Sequence, residues 1–492
     1  MLTFKDRWIE QAYQKIKLLY PDDDEKTIKH FLSKQFDKDY VDNKCIVYNN
    51  YEKDEIQTSI YKLFDWIEEK EPILTESGSM FKQHSDTFNP TAMILNKTLA
   101  ERKIEKKKKF KYLNAAEKET DPQKKADLLY MAKKADLAQL RKKIIANSEY
   151  GVSGLSSSWF FNMACASATT ARGQALISTA YNAFEDFMCD NVLFYSMDEC
   201  LMFINNIVHE KDRRQKNDAK WVNDVTKNQL YDRLLKKFKN PEICDEDMVK
   251  RIIKNLSQED RNRVYYKSNL YEFFRNSEKA QQLLKNIAHD DHEFMDPENP
   301  PDYINKELTK LREAVMEYVH YNYPTYNRAY RLKTETRKCV IVIDTDSNFI
   351  NLQPWVDFVY DEILQGYTKI SRRKKVDGRY IIESRNEEKS YSKKKKEKET
   401  FRIIFTMVNM MSEMVNKSLE TFKMRSNIKP GHPGELHMKN EFLYDSILIT
   451  PAKKHYQSAI RIQEGVYFEK PDFDVKGRQH APLYGNIYCK SA

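Results

Sequence analysis

Residues 338–350 read KCVIVIDTDSNFI, an apolar run that ends in two aspartates with one residue between them. Val340 to Ile343 are apolar and β-branched, which is typical of an enclosed strand. Residues two apart in an extended chain point to the same side, so the carboxylates of Asp344 and Asp346 emerge together at the strand end. Paired carboxylates repel each other and are costly to desolvate. The pattern therefore leaves two interpretations open, a solvated Asp-rich turn or a site for a divalent metal ion.

The composition indicates a large, charged, helix-rich protein. Of 492 residues, 40% are hydrophobic and 32% are charged, and the net charge is +9 with lysine and arginine in clusters. Clustered positive charge suits a polyanionic partner. The seven cysteines are scattered and include no Cys-x-x-Cys pair, so neither a disulfide framework nor a structural zinc site is indicated.

The start of the chain and its hydropathy bear on location. The first 27 residues, MLTFKDRWIEQAYQKIKLLYPDDDEKT, are charged throughout and do not resemble a secretory signal. No apolar run approaches membrane-spanning length. We therefore expect a protein of the reducing cytoplasm without a membrane partner.

Helical patterns dominate the chain. Residues 1–75 predict amphipathic helices, and Pro21 with three aspartates ahead of an apolar-periodic run predicts a helix N-terminus. Two long helical patterns between residues 90 and 150, separated by KETDPQKK, predict a helical hairpin. Residues 205–334 predict an inserted helical module. Strand character appears in the opening stretch and again at 442–462.

Two lysine-rich tracts lie between these strand patterns. They read SRRKKVDGRY (371–380) and SYSKKKKEKET (390–400). We interpret them as exposed hairpin or loop segments.

The second long helical pattern ends in KKIIANSEYG, residues 142–151. Lys143, Asn147 and Tyr150 stand at i, i+4 and i+7, so they share one helical face. A lysine, an amide and a phenol in line suit a phosphate contact followed by sugar or base contacts. A solvated helix end capped by Gly151 explains the same residues.

Other residues of the two helices support either interpretation. Leu137, Leu140 and Ile144 form an adjoining apolar stripe that can be buried. Arg102 and Lys106 are four apart in the preceding helix and face one way. They suit a triphosphate clamp or a basic solvated face.

Four segments carry a resemblance to a known family: KKIIANSEYG (142–151), IDTDS (343–347), AKKHY (452–456) and DVKG (474–477). In the same order, they resemble the Lys-x-x-x-Asn-Ser-x-Tyr-Gly, Asp-Thr-Asp-Ser, Lys-Lys-x-Tyr and Lys-Gly motifs of family B DNA polymerases. Glu441, upstream of the third segment, has a counterpart in the family as well. Each motif alone is a weak or moderate signal, whereas four in the family order make a strong one.

The resemblance, which covers roughly residues 76–204 and 335–480, implies an α+β fold with an antiparallel palm sheet, helical-hairpin fingers and an inserted helical module. The implied regions are an N-terminal helical region (1–75), the fingers (76–151), a first part of the palm (152–204), the inserted module (205–334), a second part of the palm (335–480) and a C-terminal tail (481–492). The overall character of the sequence resembles bacteriophage enzymes of this family, which implies a virus-encoded protein inside a host cell.

The resemblance also implies the chemistry of the opening stretch. Asp346 would be the principal ligand of a two-metal site, and Asp344 a weaker or outer ligand. The cofactors would be two Mg²⁺ ions, with Mn²⁺ as a substitute. The primer 3′-hydroxyl would attack the α-phosphorus of a dNTP while the metal ions stabilise the attacking and leaving oxygens.

Binding roles are implied for the other motif residues. The implied partners are primer–template DNA and dNTPs. The implied roles are nucleotide contacts for Lys143, Arg102 and Lys106, contacts in the nascent base-pair pocket for Asn147 and Tyr150, and primer–template contacts for Lys453, Lys454, Tyr456, Lys476 and Gly477. Phosphate contacts of the last kind position DNA without reading its sequence.

One family motif, which resembles Asp-x-x-Ser-Leu-Tyr-Pro and carries the other essential carboxylate, has no match. KIKLLYPDDD shares Leu-Tyr-Pro, but Lys15 and Leu18 occupy the positions of the aspartate and the serine. DEIQTSIYKLFDW has Ile56 where the aspartate should be. The exonuclease and the thumb have no recognisable place either. We therefore expect a split polymerase in which other subunits supply the aspartate, the exonuclease and the thumb.

Three functions are compatible with these observations. The first is a catalytic polymerase subunit that works only when assembled, and the second is a noncatalytic polymerase-like scaffold that binds DNA or a partner. The third is a complete polymerase that uses Asp22, Asp23, Asp24 or Asp54 as its missing ligand. The intact Asp-Thr-Asp-Ser favours catalysis, because a scaffold has no reason to retain costly paired carboxylates.

Overall fold

A computed structural model describes residues 2–49, 52–86, 89–209, 221–287, 302–318, 335–344, 347–364, 368–376, 379–387, 393–430, 437–450 and 455–476. Helices predominate in these ranges, and all strand pairs within them are antiparallel. The predicted α+β class is therefore confirmed. No helix in the described ranges has the length and apolar character needed to span a bilayer.

The described residues of the N-terminal region include the helices α1 (Phe4–Leu19), α2 (Glu25–Asp39) and α3 (Ile60–Lys70). The predicted start of α2 is confirmed, because the Asp24 side chain accepts a hydrogen bond from the Thr27 N–H at 2.9 Å. Such a cap satisfies one of the N–H groups that have no partner within the helix.

A hairpin of β1 (Lys44–Asn49) and β2 (Asp54–Ser59) separates α2 from α3. The prediction of helices throughout residues 1–75 is therefore wrong for this stretch. Each of the two strands is only six residues long, and the side chains of Ile46, Tyr48 and Ile56 on them are exposed. Such a hairpin has no clear apolar face, and sequence periodicity then gives little warning of it.

Two long helices form the predicted helical hairpin. Two short strands, β3 (Ile73–Leu74) and β4 (Met80–Phe81), precede α4 (Pro90–Lys118) and α5 (Pro122–Gly154), which lie side by side. Both helices begin with proline, whose fixed φ suits the first helical position. Helix α5 continues past Gly151, so that glycine does not cap it.

The core is built around α6 (Met163–Cys189), whose second half is almost entirely buried. Helix α7 (Met197–Val208) follows it. The described helices of the predicted module are α8 (Lys227–Leu235), α9 (Glu246–Asn255), α10 (Gln258–Tyr266), α11 (Leu270–Arg275), α12 (Glu278–Ile287) and α13 (Asp302–Glu317). Side chains from these helices and from α6 belong to one continuous hydrophobic core. The described residues between 227 and 317 are therefore mostly helical and are packed into the core, and their assignment to an inserted module stays a prediction.

The next elements lead from the core to the lysine-rich tracts. Strands β5 (Val340–Asp344) and β6 (Ser347–Ile350) pair with each other beside α6. The chain continues into α14 (Gln353–Asp357), a π-helical turn at Phe358–Ile363, β7 (Thr368–Val376), β8 (Arg379–Glu387) and α15 (Lys393–Arg425), which packs along α6. The described residues of the tract at 371–380 lie on β7 and β8. Residues 393–400 of the second tract begin α15, so the interpretation of that tract as an exposed hairpin or loop is wrong for its described part.

The last three strands form the largest sheet in the described ranges. They are β9 (Phe442–Ile449), β10 (Tyr456–Gln463) and β11 (Val466–Lys476), with β10 in the centre. The strand character predicted at 442–462 is therefore present. Within the described residues, β5 and β6 do not hydrogen-bond to this sheet, so it and the β5–β6 hairpin are separate units.

Candidate active site

The aspartate pair lies where β5 meets β6. Asp344 is the last residue of β5 and pairs in register with Ser347, the first residue of β6. Asp346 and the Asp344 side chain lie outside the described residues. The position of the two carboxylates therefore stays a prediction, while the backbone on both sides of them forms paired strands.

A buried glutamate of α6 holds the start of β5. The backbone N–H groups of Lys338, Cys339 and Val340 donate to the Glu185 carboxylate at 2.8, 2.9 and 2.7 Å. The Asn191 side chain donates to the same carboxylate at 2.7 Å. Burial raises the pKa of Glu185, but these four hydrogen bonds outweigh burial and leave the pKa below its ordinary value. The charged carboxylate thus fixes β5 to α6.

The other strand of the hairpin contacts the three-stranded sheet. The Phe349 ring of β6 stacks on Tyr444 with centroids 5.9 Å apart and meets Tyr456 edge-on at 5.3 Å. Burial raises the pKa of Tyr444, so the phenol stays neutral. The hairpin that bears the aspartates is therefore held between α6 and the sheet.

The two predicted DNA-contacting segments meet at one end of that sheet. Tyr456, the first residue of β10, pairs in register with Lys476, the last residue of β11. The strand register thus brings together segments that are separated by the β10–β11 hairpin. Lys453, Lys454, Gly477 and the Lys476 side chain lie outside the described residues, so their DNA contacts stay predictions.

Lys106 of α4 does not project freely into solvent. Its ammonium group forms ion pairs with Glu441, just before β9, and with Glu464 in the β10–β11 turn, the latter at 2.8 Å. Glu464, whose side chain is 6% exposed, also pairs with Lys439 at 2.6 Å. These ion pairs join the α4–α5 hairpin to the three-stranded sheet. Glu441, which the sequence motifs single out, thus contacts Lys106.

Arg102 of α4 has a partner on α5, because its Nε donates to the Gln139 side chain at 3.3 Å. Leu137, Leu140 and Ile144 form the apolar stripe that the sequence pattern indicated could be buried. In the structure all three side chains are exposed. The apolar face of α5 is therefore uncovered in the described chain.

Lys143, Asn147 and Tyr150 follow one another along exposed positions of α5. The Tyr150 hydroxyl lies 2.7 Å from the Thr170 hydroxyl of α6, which fixes that end of the face to the core. Within the described residues, Lys143 has no hydrogen-bond or ion-pair partner. Its ammonium group is therefore available to an anionic ligand.

The charge of this region suits such a ligand. Between residues 90 and 154, sixteen lysine and arginine residues stand against eight aspartate and glutamate residues, a net charge of +8 compared with +9 for the whole chain. Positive charge concentrated on one element attracts polyanions such as triphosphates and nucleic acids.

The donor set of the aspartate pair fits a hard divalent cation, because Mg²⁺ and Mn²⁺ prefer carboxylate oxygens. Among the described side chains, no three of the histidine, cysteine, aspartate and glutamate groups cluster as metal ligands. The fit to a metal therefore rests on the two aspartates that the sequence motif provides, Asp344 and Asp346.

Sequence reasoning missed three residues that organise the site, namely Glu185, Phe349 and Glu464. Glu185 left a signal, because an acidic residue in a mostly apolar helical stretch needs partners when it is buried. Glu464 left a signal as well, since Glu464-Gly465 between two strand patterns indicates a turn. In the structure both residues have positive φ angles, 48° and 81°. Phe349 left no signal, because its partners lie about a hundred residues along the chain.

Comparison with known families gives two matches, one before the β5–β6 hairpin in the sequence and one after it. The family described as DNA polymerase family B matches residues 73–196, which include all of α4, α5 and α6. The family described as Divergent Family B DNA polymerase matches residues 380–481, which include nearly all of β8 and the whole of α15, β9, β10 and β11. No curated protein and no solved structure matches the chain.

These matches point to an enzyme that polymerises nucleotides on a DNA template. More particularly, the resemblance to family B DNA polymerases that the sequence motifs carry is confirmed. The first matched range contains Arg102, Lys106, Lys143, Asn147 and Tyr150, and the second contains Glu441, Lys453, Lys454, Tyr456, Lys476 and Gly477. Asp344 and Asp346 lie between the two ranges.

Proposed function

We propose that this chain is the palm and fingers subunit of a family B-like DNA polymerase, completed by a partner chain that supplies the missing aspartate motif, the exonuclease and the thumb. The observation that supports the proposal most directly is the contact of Phe349 with Tyr456. It connects the strand pair that carries the aspartates to the sheet end that carries the predicted DNA-contacting residues.

The proposed roles follow from charge and position. Asp346, with Asp344 as the outer ligand, would hold divalent metal, which when bound stabilises the attacking and leaving oxygens of the reaction. Lys143 neutralises part of the triphosphate charge, and Asn147 and Tyr150 line the base-pair pocket. A bond forms between the primer 3′-oxygen and the α-phosphorus of the dNTP, and pyrophosphate leaves.

The catalytic part of the proposal is tested by Asp346→Ala in the assembled enzyme. Because the carboxylate stabilises charge in the reaction, its removal should lower single-nucleotide incorporation by at least about 1,000-fold. Asp344→Ala should have a smaller effect. Primer–template affinity, measured without dNTP, should stay within about twofold, because it depends on phosphate contacts.

The matched control is Asp22→Ala, which removes an exposed carboxylate from a turn. It should incorporate nucleotides normally, and so should Asp54→Ala. Near-normal incorporation by Asp346→Ala would overturn the catalytic assignment. Loss of incorporation in either control variant would favour a complete polymerase that uses that aspartate as a ligand.

The connection between α5 and α6 supports the partner part of the proposal. Trp159 there is fully exposed, and Phe160 is 66% exposed. The turn is held closed by the Asn162 N–H, which donates to the Ser153 carbonyl at 2.9 Å, so the rings are presented by a fixed backbone. Neighbouring exposed aromatic side chains of this kind are typical of an interaction surface. We assign it, together with the uncovered stripe of α5, to the partner chain.

The partner is tested by reconstitution. The isolated chain should not extend a primer with dNTPs and Mg²⁺, and activity should appear on adding a co-purifying chain that mass spectrometry shows to carry an Asp-x-x-Ser-Leu-Tyr-Pro-like segment. Trp159→Ala with Phe160→Ala should weaken assembly by about 10- to 100-fold, since exposed aromatics act as hot spots when covered. Phe31→Ala, at a position that is 61% exposed, is the control. Processive synthesis by the single chain would refute the split enzyme.

A further inference from the structure

Cys189 and Cys339 meet where α6 supports the start of β5. Cys189 is the last residue of α6, and Cys339 directly precedes β5. The two are 150 positions apart in the chain, yet their thiols form a hydrogen bond with each other. Neither cysteine has a part in the proposed polymerase chemistry.

The Glu185 carboxylate explains why the two thiols lie together. Its Oε1 atom accepts a hydrogen bond from the Cys339 N–H at 2.9 Å, and Cys189 follows Glu185 by four residues on α6. Residues four apart in a helix lie on the same face. The face of α6 that holds the backbone of Cys339 therefore also presents the Cys189 side chain to it.

Further hydrogen bonds fix the backbone beside each cysteine. The Trp355 side chain donates to the Met188 carbonyl, next to Cys189, at 3.2 Å. The Cys339 carbonyl accepts a hydrogen bond from the Asn351 N–H at 2.7 Å. A disulfide requires two cysteines whose side chains are already close, and this arrangement keeps them close.

The two thiols differ in exposure and in acidity. Cys189 is partly exposed, whereas Cys339 is 2% exposed. The hydrogen bond from Cys339 lowers the pKa of the Cys189 thiol and outweighs the burial that opposes it. The same hydrogen bond, together with burial, raises the pKa of the Cys339 thiol. Cys189 is therefore the thiol that ionises first and that a small oxidant reaches first.

Cys244 provides a contrast within the same core. It is partly exposed like Cys189, but burial and the neighbouring carboxylates of Glu246 and Asp245 raise the pKa of its thiol. Burial also raises the pKa of Cys200, whose side chain is fully buried. Because the thiolate is the reactive form, these two cysteines should react slowly where Cys189 reacts fast.

We propose that Cys189 and Cys339 form a reversible disulfide when the protein meets a hydroperoxide, with Cys189 as the attacking thiol and Cys339 as the resolving thiol. The bond would tie β5 covalently to the end of α6, five residues before Asp344. In a reducing compartment the pair rests as two thiols, so the disulfide forms in response to the oxidant. The inference goes beyond the proposed polymerase function and does not depend on it.

The reaction has two steps. In the first, the Cys189 thiolate attacks one oxygen of hydrogen peroxide, the O–O bond breaks, and the departing hydroxide takes a proton to become water, which leaves Cys189 as a sulfenic acid. In the second, the Cys339 sulfur attacks the Cys189 sulfur, the S–O bond breaks, and the departing hydroxide takes the Cys339 proton. Two thiols and one peroxide thus give one disulfide and two water molecules.

The first test treats the full-length, folded chain with hydrogen peroxide. After the remaining thiols are alkylated and the protein is digested without reductant, mass spectrometry should find the peptide of Cys189 joined to the peptide of Cys339, with the loss of two hydrogen atoms. Dithiothreitol should separate the two peptides. A disulfide from Cys189 to another cysteine, or no disulfide at Cys189, would overturn the proposal.

Two variants separate the steps of the reaction. Cys339→Ser keeps a hydrogen-bond donor beside Cys189 but cannot resolve the sulfenic acid, so dimedone should label Cys189 in this variant. In Cys189→Ser neither the label at this position nor the disulfide should form. Cys165→Ser removes an exposed thiol and is the control that should form the disulfide as the wild type does. Thermal unfolding verifies that each variant is folded, and the peptide mapping of the wild type needs no variant.

The rates of oxidation provide the last comparison. Cys189 should be oxidised at least about 10-fold faster than Cys244 at neutral pH, because its thiolate is the more populated. Alkylation of the remaining thiols after timed exposure to peroxide measures both rates. Equal rates would overturn the assignment of Cys189 as the attacking thiol. No step requires DNA, dNTP or metal, so these outcomes are distinguishable from failure of the polymerase proposal.

Discussion

The two hairpins of the candidate site are attached to the rest of the molecule in opposite ways. The β5–β6 hairpin is held by buried contacts, with Glu185 at its first strand and Phe349 on its second. The α4–α5 hairpin is joined to the three-stranded sheet by the ion pairs of the partly exposed Lys106 with Glu441, whose side chain is 41% exposed, and with Glu464, whose side chain is 6% exposed. Lys143 on its other helix has no partner within the described residues.

The energies of the two kinds of contact differ. Breaking a buried, hydrogen-bonded charge costs about 3–5 kcal/mol, whereas a partly exposed ion pair contributes about 0–1 kcal/mol. The hairpin proposed to hold metal is therefore fixed, while Lys106 of the hairpin proposed to bind nucleotide can exchange its more exposed partner Glu441 for a ligand at little cost.

The largest expected effect comes from Glu185→Gln. The amide can accept only part of the hydrogen bonds that the carboxylate accepts, and its NH₂ group faces backbone donors, so the free energy of unfolding should fall by about 3 kcal/mol. Chemical denaturation measures it, with Glu397→Gln, an exposed position on α15, as the control that should change stability by less than about 0.5 kcal/mol. Equal, small effects of both substitutions would show that β5 is not held by this carboxylate.

The same carboxylate makes a prediction about pH. The pKa of Glu185 is lowered in the folded protein, so its contribution to stability is present above the ordinary pKa of 4.5 and is lost as the pH falls through the folded value. The wild type should therefore lose its stability advantage over Glu185→Gln on acidification below about pH 4.5. Unfolding curves of both proteins between neutral and acidic pH measure the difference, and a constant difference would contradict the prediction.

A smaller effect is expected from the fingers. Lys143→Ala removes a point charge from the proposed triphosphate contact and should lower kcat/KM for dNTP by about 10- to 100-fold in the assembled enzyme. Its neighbour Lys142 pairs with Glu101 of α4, so Lys142→Ala should change kcat/KM by less than about threefold. Similar losses in both variants would mean that the one-face argument for α5 is wrong.

The smallest expected effect concerns the partners of Lys106. Glu441→Gln removes one of the two carboxylates that compete with a triphosphate for this ammonium group, so KM for dNTP should fall by about two- to threefold. Lys106→Ala should raise KM. Steady-state kinetics on a fixed primer–template distinguishes the two directions, and a rise in KM for Glu441→Gln would show that this carboxylate has another role.

Local patterns predicted the elements that are defined by their own periodicity. The strands around the aspartates and the two long helices are of this kind, because alternation and helical spacing are read within one segment. The exposed stripe of Leu137, Leu140 and Ile144 shows the limit of the same reasoning. An apolar face indicates that something covers it, but not that the covering element belongs to the same chain.

Long-range contacts could not be predicted from the sequence. Glu185 and Val340 are 155 positions apart, and Lys106 and Glu441 are 335 positions apart. Neither pair carries a local pattern that names its partner. For the candidate site, the sequence motifs therefore indicated the residues that we propose for the chemistry, and the structure shows contacts that position the elements around them.

The exposed aromatic turn also gives the protein an optical property. Trp159 is fully exposed, whereas Trp355 is 2% exposed. An indole in water fluoresces at longer wavelength than a buried one and is open to quenching by iodide. Any chain that covers the turn should therefore shift part of the emission to shorter wavelength and protect it from the quencher, so assembly can be followed without an added label.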